Sequence, residues 1–196
     1  MRNAFIDRAT TETKITCSLE IDGTGMCDVK TGCGFLDHML ELFTRHGRFN
    51  LTLRCEGDAH VDFHHTTEDV AIALGSAFSR ALGDRAGINR YGSFILPMDE
   101  ALAICATDIC GRATLVFDAR FETPKVGDFD TELIKEFFAA FARKLGAAIH
   151  LRLISGENSH HIAEALFKGF ARALSQAVAA DPKSQGEIPS TKGVIL

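Results

Sequence analysis

The sequence carries one short pattern twice: His64-His65-Thr66-Thr67-Glu68 and His160-His161-Ile162-Ala163-Glu164. With 8 histidines and 12 glutamates in 196 residues, a single His-His-x-x-Glu is expected about 0.02 times by chance, so two copies are a built feature. Asp62 and Asn158 stand two residues ahead of the pairs, where an Asx side chain caps a helix and places both histidines in its first turn. Positions i and i+4 share a helix face, so Glu68 is expected under His64 and Glu164 under His160, with His65 and His161 turned about 100° away. Adjacent imidazoles splayed in this way chelate one ion poorly and serve two ions readily. Imidazole with carboxylate and no thiolate suits Mn, Fe, Co, Ni or Zn and leaves the metal's identity open. A lone His pair reads more simply as a helix cap or a polar surface; the duplication argues against that reading here.

The surroundings repeat as well. The stretch from Asp37 to Gly57, DHMLELFTRHGRFNLTLRCEG, lies over KEFFAAFARKLGAAIHLRLISG from Lys135, an offset of about half the chain. Apolar spacing predicts helices over Phe35–His46 and Asp62–Leu82, and alternation predicts strands over Lys14–Ile21, Met26–Thr31 and Phe49–Cys55. The second half shows strands near Tyr91–Pro97, Ala101–Asp108 and Thr114–Phe121, a helix over Asp130–Leu145, a strand from His150 and a helix over Ser159–Ala179. The expected fold is α+β, an internal duplication of a β-β-α-β-α unit, with two sheet-and-helix halves packed about a pseudo-two-fold axis. The repeats run over about 1–85 and 86–180 of a single domain, followed by a tail, 181–196, that Pro182 and Pro189 keep irregular. Within a residue of alignment, the repeat adds His38 in the first half and Glu136 in the second. Eight donors result, four per ion, leaving two octahedral positions for substrate or water.

Composition narrows the function classes. A 46% hydrophobic content excludes disorder, and a net charge of −5 with scattered cations argues against nucleic acid as a partner. An anionic ligand must instead meet a few well-placed cations. The six cysteines form no C-x-x-C pair and read as reduced thiols. No segment reaches the ~18 apolar residues of a membrane span, and the first residues lack a secretion signal, so a cytoplasmic location without membrane contact is expected.

Several longer stretches carry a resemblance: Arg8-Ala9-Thr10-Thr11-Glu12-Thr13, Thr31-Gly32-Cys33-Gly34-Phe35-Leu36-Asp37-His38-Met39-Leu40, His64 to Asp69, Pro97-Met98-Asp99-Glu100-Ala101, and Asn158-Ser159-His160-His161. Over essentially the whole chain the sequence resembles the imidazoleglycerol-phosphate dehydratase family of histidine biosynthesis, in its monofunctional form. The resemblance implies a hydro-lyase that converts D-erythro-imidazole glycerol phosphate to imidazole acetol phosphate and water. It implies two Mn²⁺ ions per active site on His38, His64, His65, Glu68, Glu136, His160, His161 and Glu164, with Glu12 and Glu164 as catalytic groups. It also implies substrate contacts from Glu12, His46, Arg90, Arg112, Lys168, Ser190 and Lys192, the arginines taking the phosphate through their planar forks. The route so implied holds the substrate's imidazole as a metal-bound imidazolate and passes through a diazafulvene-like intermediate. The family further implies a large symmetric homo-oligomer, a 24-mer, with sites between subunits, and a tail that closes over bound substrate. Two positions depart from the family pattern: Glu136 stands where some members have His, and Leu42 where Gln is common. From the residues themselves, a dinuclear metal hydrolase and a non-catalytic metal-stapled oligomer remain open alternatives.

Overall fold

A computed structural model of the chain describes every residue except Met1, Gln185 and Leu196. In the first half β1 (Asn3–Ala9), β2 (Thr13–Glu20) and β3 (Cys27–Lys30) precede α1 (Gly34–Gly47), β4 (Asn50–Gly57) and α2 (His64–Leu82). In the second, β5 (Tyr91–Met98), β6 (Ala101–Asp108) and β7 (Thr114–Asp118) precede a small hairpin, β8 (Lys125–Val126) and β9 (Phe129–Asp130). Then follow α3 (Glu132–Leu145), β10 (Ala148–Ser155) and α4 (Ser159–Val178). The two four-stranded sheets have the same order, β1-β2-β4-β3 and β5-β6-β10-β7. In each, the last pair is parallel and the others antiparallel. The duplication read from the sequence is therefore a duplication of topology.

Local sequence explains the elements. Ile15, Cys17 and Leu19 alternate inward along β2, as Ala101, Ala103 and Cys105 do along β6. On α1 the buried positions Leu36, Met39, Leu40 and Phe43 form one stripe, which α3 repeats with Ile134, Phe137, Phe138 and Phe141. Both helices stop where the chain turns left-handed, at Arg48 (φ 63°) and Gly146 (φ 71°). The sheets lie outside and the helices between them: α2 packs on β1 and β2, α4 on β5 and β6, and the halves join through α1 with α4 and α2 with α3. At the centre each helix contributes one phenylalanine, Phe43, Phe78, Phe141 and Phe170, with neighbouring ring centroids 5.4–6.2 Å apart. Truncating one of these rings to Ala costs about 3–5 kcal/mol.

Three details differ from the sequence reading. β1 adds a strand ahead of the expected unit; its alternation is masked because Phe5 faces outward at 56% exposure while Arg8 turns inward to Asp69. β7 ends at Asp118 rather than Phe121, because the chain leaves the sheet to build the β8–β9 hairpin and Phe121 stacks back on Phe117. α2 begins at His64, not Asp62. Asp62 lies one position ahead of the N-cap, Phe63, yet still accepts the backbone N–H of His64 at 2.7 Å.

Candidate active site

α4 begins with a full Asx cap. Asn158 Oδ1 accepts the backbone N–H of His160 at 2.9 Å and of His161 at 3.2 Å, fixing both histidines in the first turn. One turn on, Glu164 lies beneath His160, and α1 brings His38 to the same point. Glu164 Oε1 is 3.0 Å from Nε2 of both His38 and His160, and Lys168, one further turn along α4, binds the other oxygen, Oε2. Burial by itself would raise the Glu164 carboxyl, but hydrogen bonds from Lys168, His38 and His160 outweigh it and hold the pKa at about 2. Among the described residues this is the one group of three such donors whose ligand atoms all lie within 4.8 Å of one another. Two imidazoles and an ionised carboxylate aimed at one point fit a borderline divalent metal. A cavity of about 490 Å³ opens beside them, walled by Phe35, Phe63 and the β8–β9 turn, with Phe35 edge-on to His160 at 5.3 Å.

The second histidine of each pair turns away, as the spacing requires: ring planes differ by 81° for His64 and His65 and by 79° for His160 and His161. His65 Nδ1 is 2.9 Å from Asp58 Oδ2, and its Nε2 is 3.6 Å from Glu12 Oε1. His161 Nδ1 is 2.7 Å from Glu100 Oε2, and its Nε2 is 3.7 Å from Asp99 Oδ2. Donating to the Asp58 carboxylate holds His65 above its ordinary pKa, and donating to Glu100 does the same for His161. Glu12 sits in the β1–β2 turn and Asp99-Glu100 in the equivalent β5–β6 turn, so the repeat relates these carboxylates too. Asp69 anchors the first of these turns by accepting from Arg8 at 2.8 Å and from the Thr13 hydroxyl.

Among the described residues the remaining expected ligands form no second group of three this close. Glu68, one turn along α2 from His64, is 2.6 Å from Arg143 on α3, and Glu136 is half-buried on α3. Leu42 lines a separate cavity with His38, Glu41 and Arg45. His46, in the last turn of α1, is held below its ordinary pKa by burial and by the charges of Lys168 and Arg172. The expected phosphate ligands do assemble: Arg90, Arg112, Ser190 and Lys192 line one cavity of about 540 Å³. Arg90 is positioned there by Asp108, which takes Nε at 2.7 Å and Nη2 at 3.1 Å, and by the Pro189 carbonyl at 2.8 Å. The tail docks rather than trailing: Gly87 N–H donates to the Glu187 carbonyl and Asp181 N–H to the Gly87 carbonyl. Gln185 and Leu196 of the tail lie outside the described residues.

Asp58, Asp99 and Glu100 escaped the sequence reading of the site. Asp58 carries no motif. The β5–β6 turn could have been found by laying the Glu12 turn over the second repeat.

Fold and site together define a class: a duplicated α+β enzyme with a helix-borne imidazole–carboxylate cluster fit for a divalent metal. The family model described as imidazoleglycerol-phosphate dehydratase matches residues 31–174. An imidazoleglycerol-phosphate dehydratase of Methylorubrum extorquens is 57% identical over 193 residues, covering 98% of this chain and 99% of the relative. One from Xanthobacter autotrophicus is 56% identical over 195 residues, covering 100% and 99%. The crystal structure of the Staphylococcus aureus dehydratase superposes with a TM-score of 0.83 at 40% identity, over 91% of this chain and 99% of that one. That from Pyrococcus furiosus, solved with a bound compound, gives 0.83 at 35% identity over 96% and 99%. The chain belongs to the imidazoleglycerol-phosphate dehydratase family, lyases of histidine biosynthesis. No helix among the described residues is long and apolar enough to cross a membrane.

Proposed function

We propose that this chain, as a cytoplasmic enzyme, dehydrates D-erythro-imidazole glycerol phosphate to imidazole acetol phosphate with two Mn²⁺ ions per active site. The observation that carries the reading is the convergence of His38, His160 and Glu164 on one point, in a chain of this family. Those three would hold one ion; His64, Glu68 and Glu136, their counterparts in the repeat, would hold the other once Glu68 leaves Arg143. When bound, the metal supplies Lewis acidity that draws electron density from the substrate's imidazole, replacing the carbonyl that ordinarily activates an α-proton.

The chain's own residues do the rest. Glu164 is kept ionised by its three hydrogen-bond partners, so it serves as an anionic ligand, and Lys168 holds its Oε2 so that Oε1 faces the histidines. Proton transfer falls to Glu12, a half-exposed carboxylate 3.6 Å from His65 Nε2 and within reach of a substrate beside it. Arg90, Arg112, Ser190 and Lys192 grip the phosphate; two of the five Arg90 N–H donors are left over by its described bonds.

The geometry also supports an active site shared between copies. His160 opens α4, while the backbone of Arg90 donates to Ala177 near the helix's far end. At 1.5 Å per residue these points are about 25 Å apart, much more than the short chain linking the substrate's ring to its phosphate. One copy therefore supplies the metal end and another the phosphate end, and His65 and His161, pointing outward, complete the neighbour's coordination. The apolar outer face of the second sheet, exposing Ile95, Ile104, Val116 and Ile154, supplies surface for such an assembly. A large symmetric homo-oligomer follows, in which each chain acts as one unit of two repeats with the 181–196 tail closing the phosphate end.

The test is turnover after chelation and reconstitution with Mn²⁺, comparing imidazole glycerol phosphate with p-nitrophenyl phosphate. Ketone formation from the first and no phosphate release from the second is expected. Phosphate release from both would favour the dinuclear hydrolase, and metal binding with no turnover of either would favour the stapled oligomer.

A further inference from the structure

We propose that Asp58 and Glu100 are positioning residues that hold His65 and His161 with Nδ1 engaged and Nε2 presented to metal; this rests on the metal reading above. Each imidazole leaves the first turn of its helix turned away from the first histidine of its pair, and its hydrogen-bond partner is not on its own helix. Each meets one carboxylate at hydrogen-bond distance, always through Nδ1: Asp58 Oδ2 at 2.9 Å for His65 and Glu100 Oε2 at 2.7 Å for His161. A carboxylate accepts only, so each such bond places the proton on Nδ1 and leaves the Nε2 lone pair for a metal.

The two carboxylates come from positions the repeat does not relate. Asp58 follows β4 and lies seven residues before its histidine; Glu100 is in the β5–β6 turn of the second half. Equivalent histidines thus reach the same Nδ1 engagement by independent routes, which is what a shared requirement on Nε2 produces and a chance surface contact does not. Glu100 is itself held. Glu100 Oε1 accepts backbone N–H groups of Asn158 at 2.9 Å and Glu157 at 3.3 Å, and its carbonyl accepts the Ser155 hydroxyl at 3.1 Å. Glu100 therefore ties the hairpin turn to the N-terminus of α4, which carries His161. Asp58 Oδ1 is buried with no partner among the described residues, so this oxygen has given up hydration while Oδ2 bonds His65.

Binding of Mn²⁺ alone, followed by the electron paramagnetic resonance of the free ion, tests this without turnover. Asp58→Ala and Glu100→Ala are expected to weaken binding about 10–100-fold, with Asp58→Asn and Glu100→Gln in between because an amide oxygen still accepts from Nδ1. Histidine ¹⁵N spectra of the metal-free protein at alkaline pH should show His65 and His161 as Nδ1–H tautomers in the wild type and as mixtures in the alanine variants. His65→Ala and His161→Ala serve as references. If they weaken binding while the four carboxylate variants bind as wild type with unchanged tautomers, the positioning role is overturned and the metal reading stands. If the histidine variants themselves bind Mn²⁺ as wild type, the metal reading falls and takes this inference with it.

Discussion

Replacing Asn158 by Ala tests how local helix chemistry builds the site. Asn158 Oδ1 satisfies two backbone N–H groups at the start of α4, those of His160 and His161, whereas Asp62 satisfies one, that of His64. Loss of an Asx cap costs about 0.5–2 kcal/mol. Asn158→Ala, losing two bonds, should fall near the upper end at about 1.5–2 kcal/mol, and Asp62→Ala near the lower at about 0.5–1 kcal/mol. For a chain of this length each kcal/mol lowers Tm by about 2–4 °C, so shifts of about 3–8 °C and 1–4 °C are expected. The assay is thermal unfolding of the metal-free protein by circular dichroism at one fixed protein concentration, since assembly makes Tm concentration-dependent. Because the same cap sets the direction of His160 and His161, Asn158→Ala should also weaken Mn²⁺ binding at least about tenfold. Equal costs for the two variants, or a destabilised Asn158→Ala protein that binds Mn²⁺ as tightly as wild type, would refute the reasoning.

Three further outcomes are expected. His64→Ala and His161→Ala should each abolish turnover while the far-ultraviolet dichroism stays that of the wild type, because neither side chain belongs to the phenylalanine core; full activity in either would return the histidines to a structural role. Truncation after Asp181 should leave Mn²⁺ content unchanged, raise KM and lower kcat, since Ser190 and Lys192 leave the phosphate cavity; wild-type kinetics would remove them from the site. Cys17 and Cys105, at equivalent places on β2 and β6, are pushed by burial up to about 12 from an ordinary 9.0. A raised thiol pKa means stability is intact below about pH 9 and is lost above it, by about 1.4 kcal/mol per pH unit per thiol, until about pH 12. Urea unfolding between pH 9 and 11 should show this slope reduced by that amount in Cys105→Ala, and an unchanged slope would show the thiol ionising freely.

Much of the fold was legible because its periodicities are clean: β6 matches its expected bounds, and α1, α2, α3 and α4 lie within two residues of theirs. β1 was hidden because an edge strand with Arg8 inward and Phe5 outward inverts the usual pattern. At the site, the i, i+4 rule placed Glu164 under His160, and the duplicated motif paired the halves. The same rule is silent on the partner of Glu68, because it counts only its own helix and Arg143 reaches across from α3. Asp58 was invisible for a related cause, since its partner is brought near by folding and nothing in its spacing announces it, whereas Glu100 could be reached only through the repeat of the Glu12 turn. The α4 distance between metal and phosphate ends likewise needed a three-dimensional ruler.

The most direct measurement of the central claim is an anomalous-difference map from Mn²⁺-loaded crystals at the manganese edge. The duplicated motif should give two peaks per chain. One should lie against His38 Nε2, His160 Nε2 and Glu164 Oε1, the other against His64, Glu68 and Glu136, each completed by the outward histidine of a neighbouring copy. A map with no peak at His38, His160 and Glu164 would contradict the account.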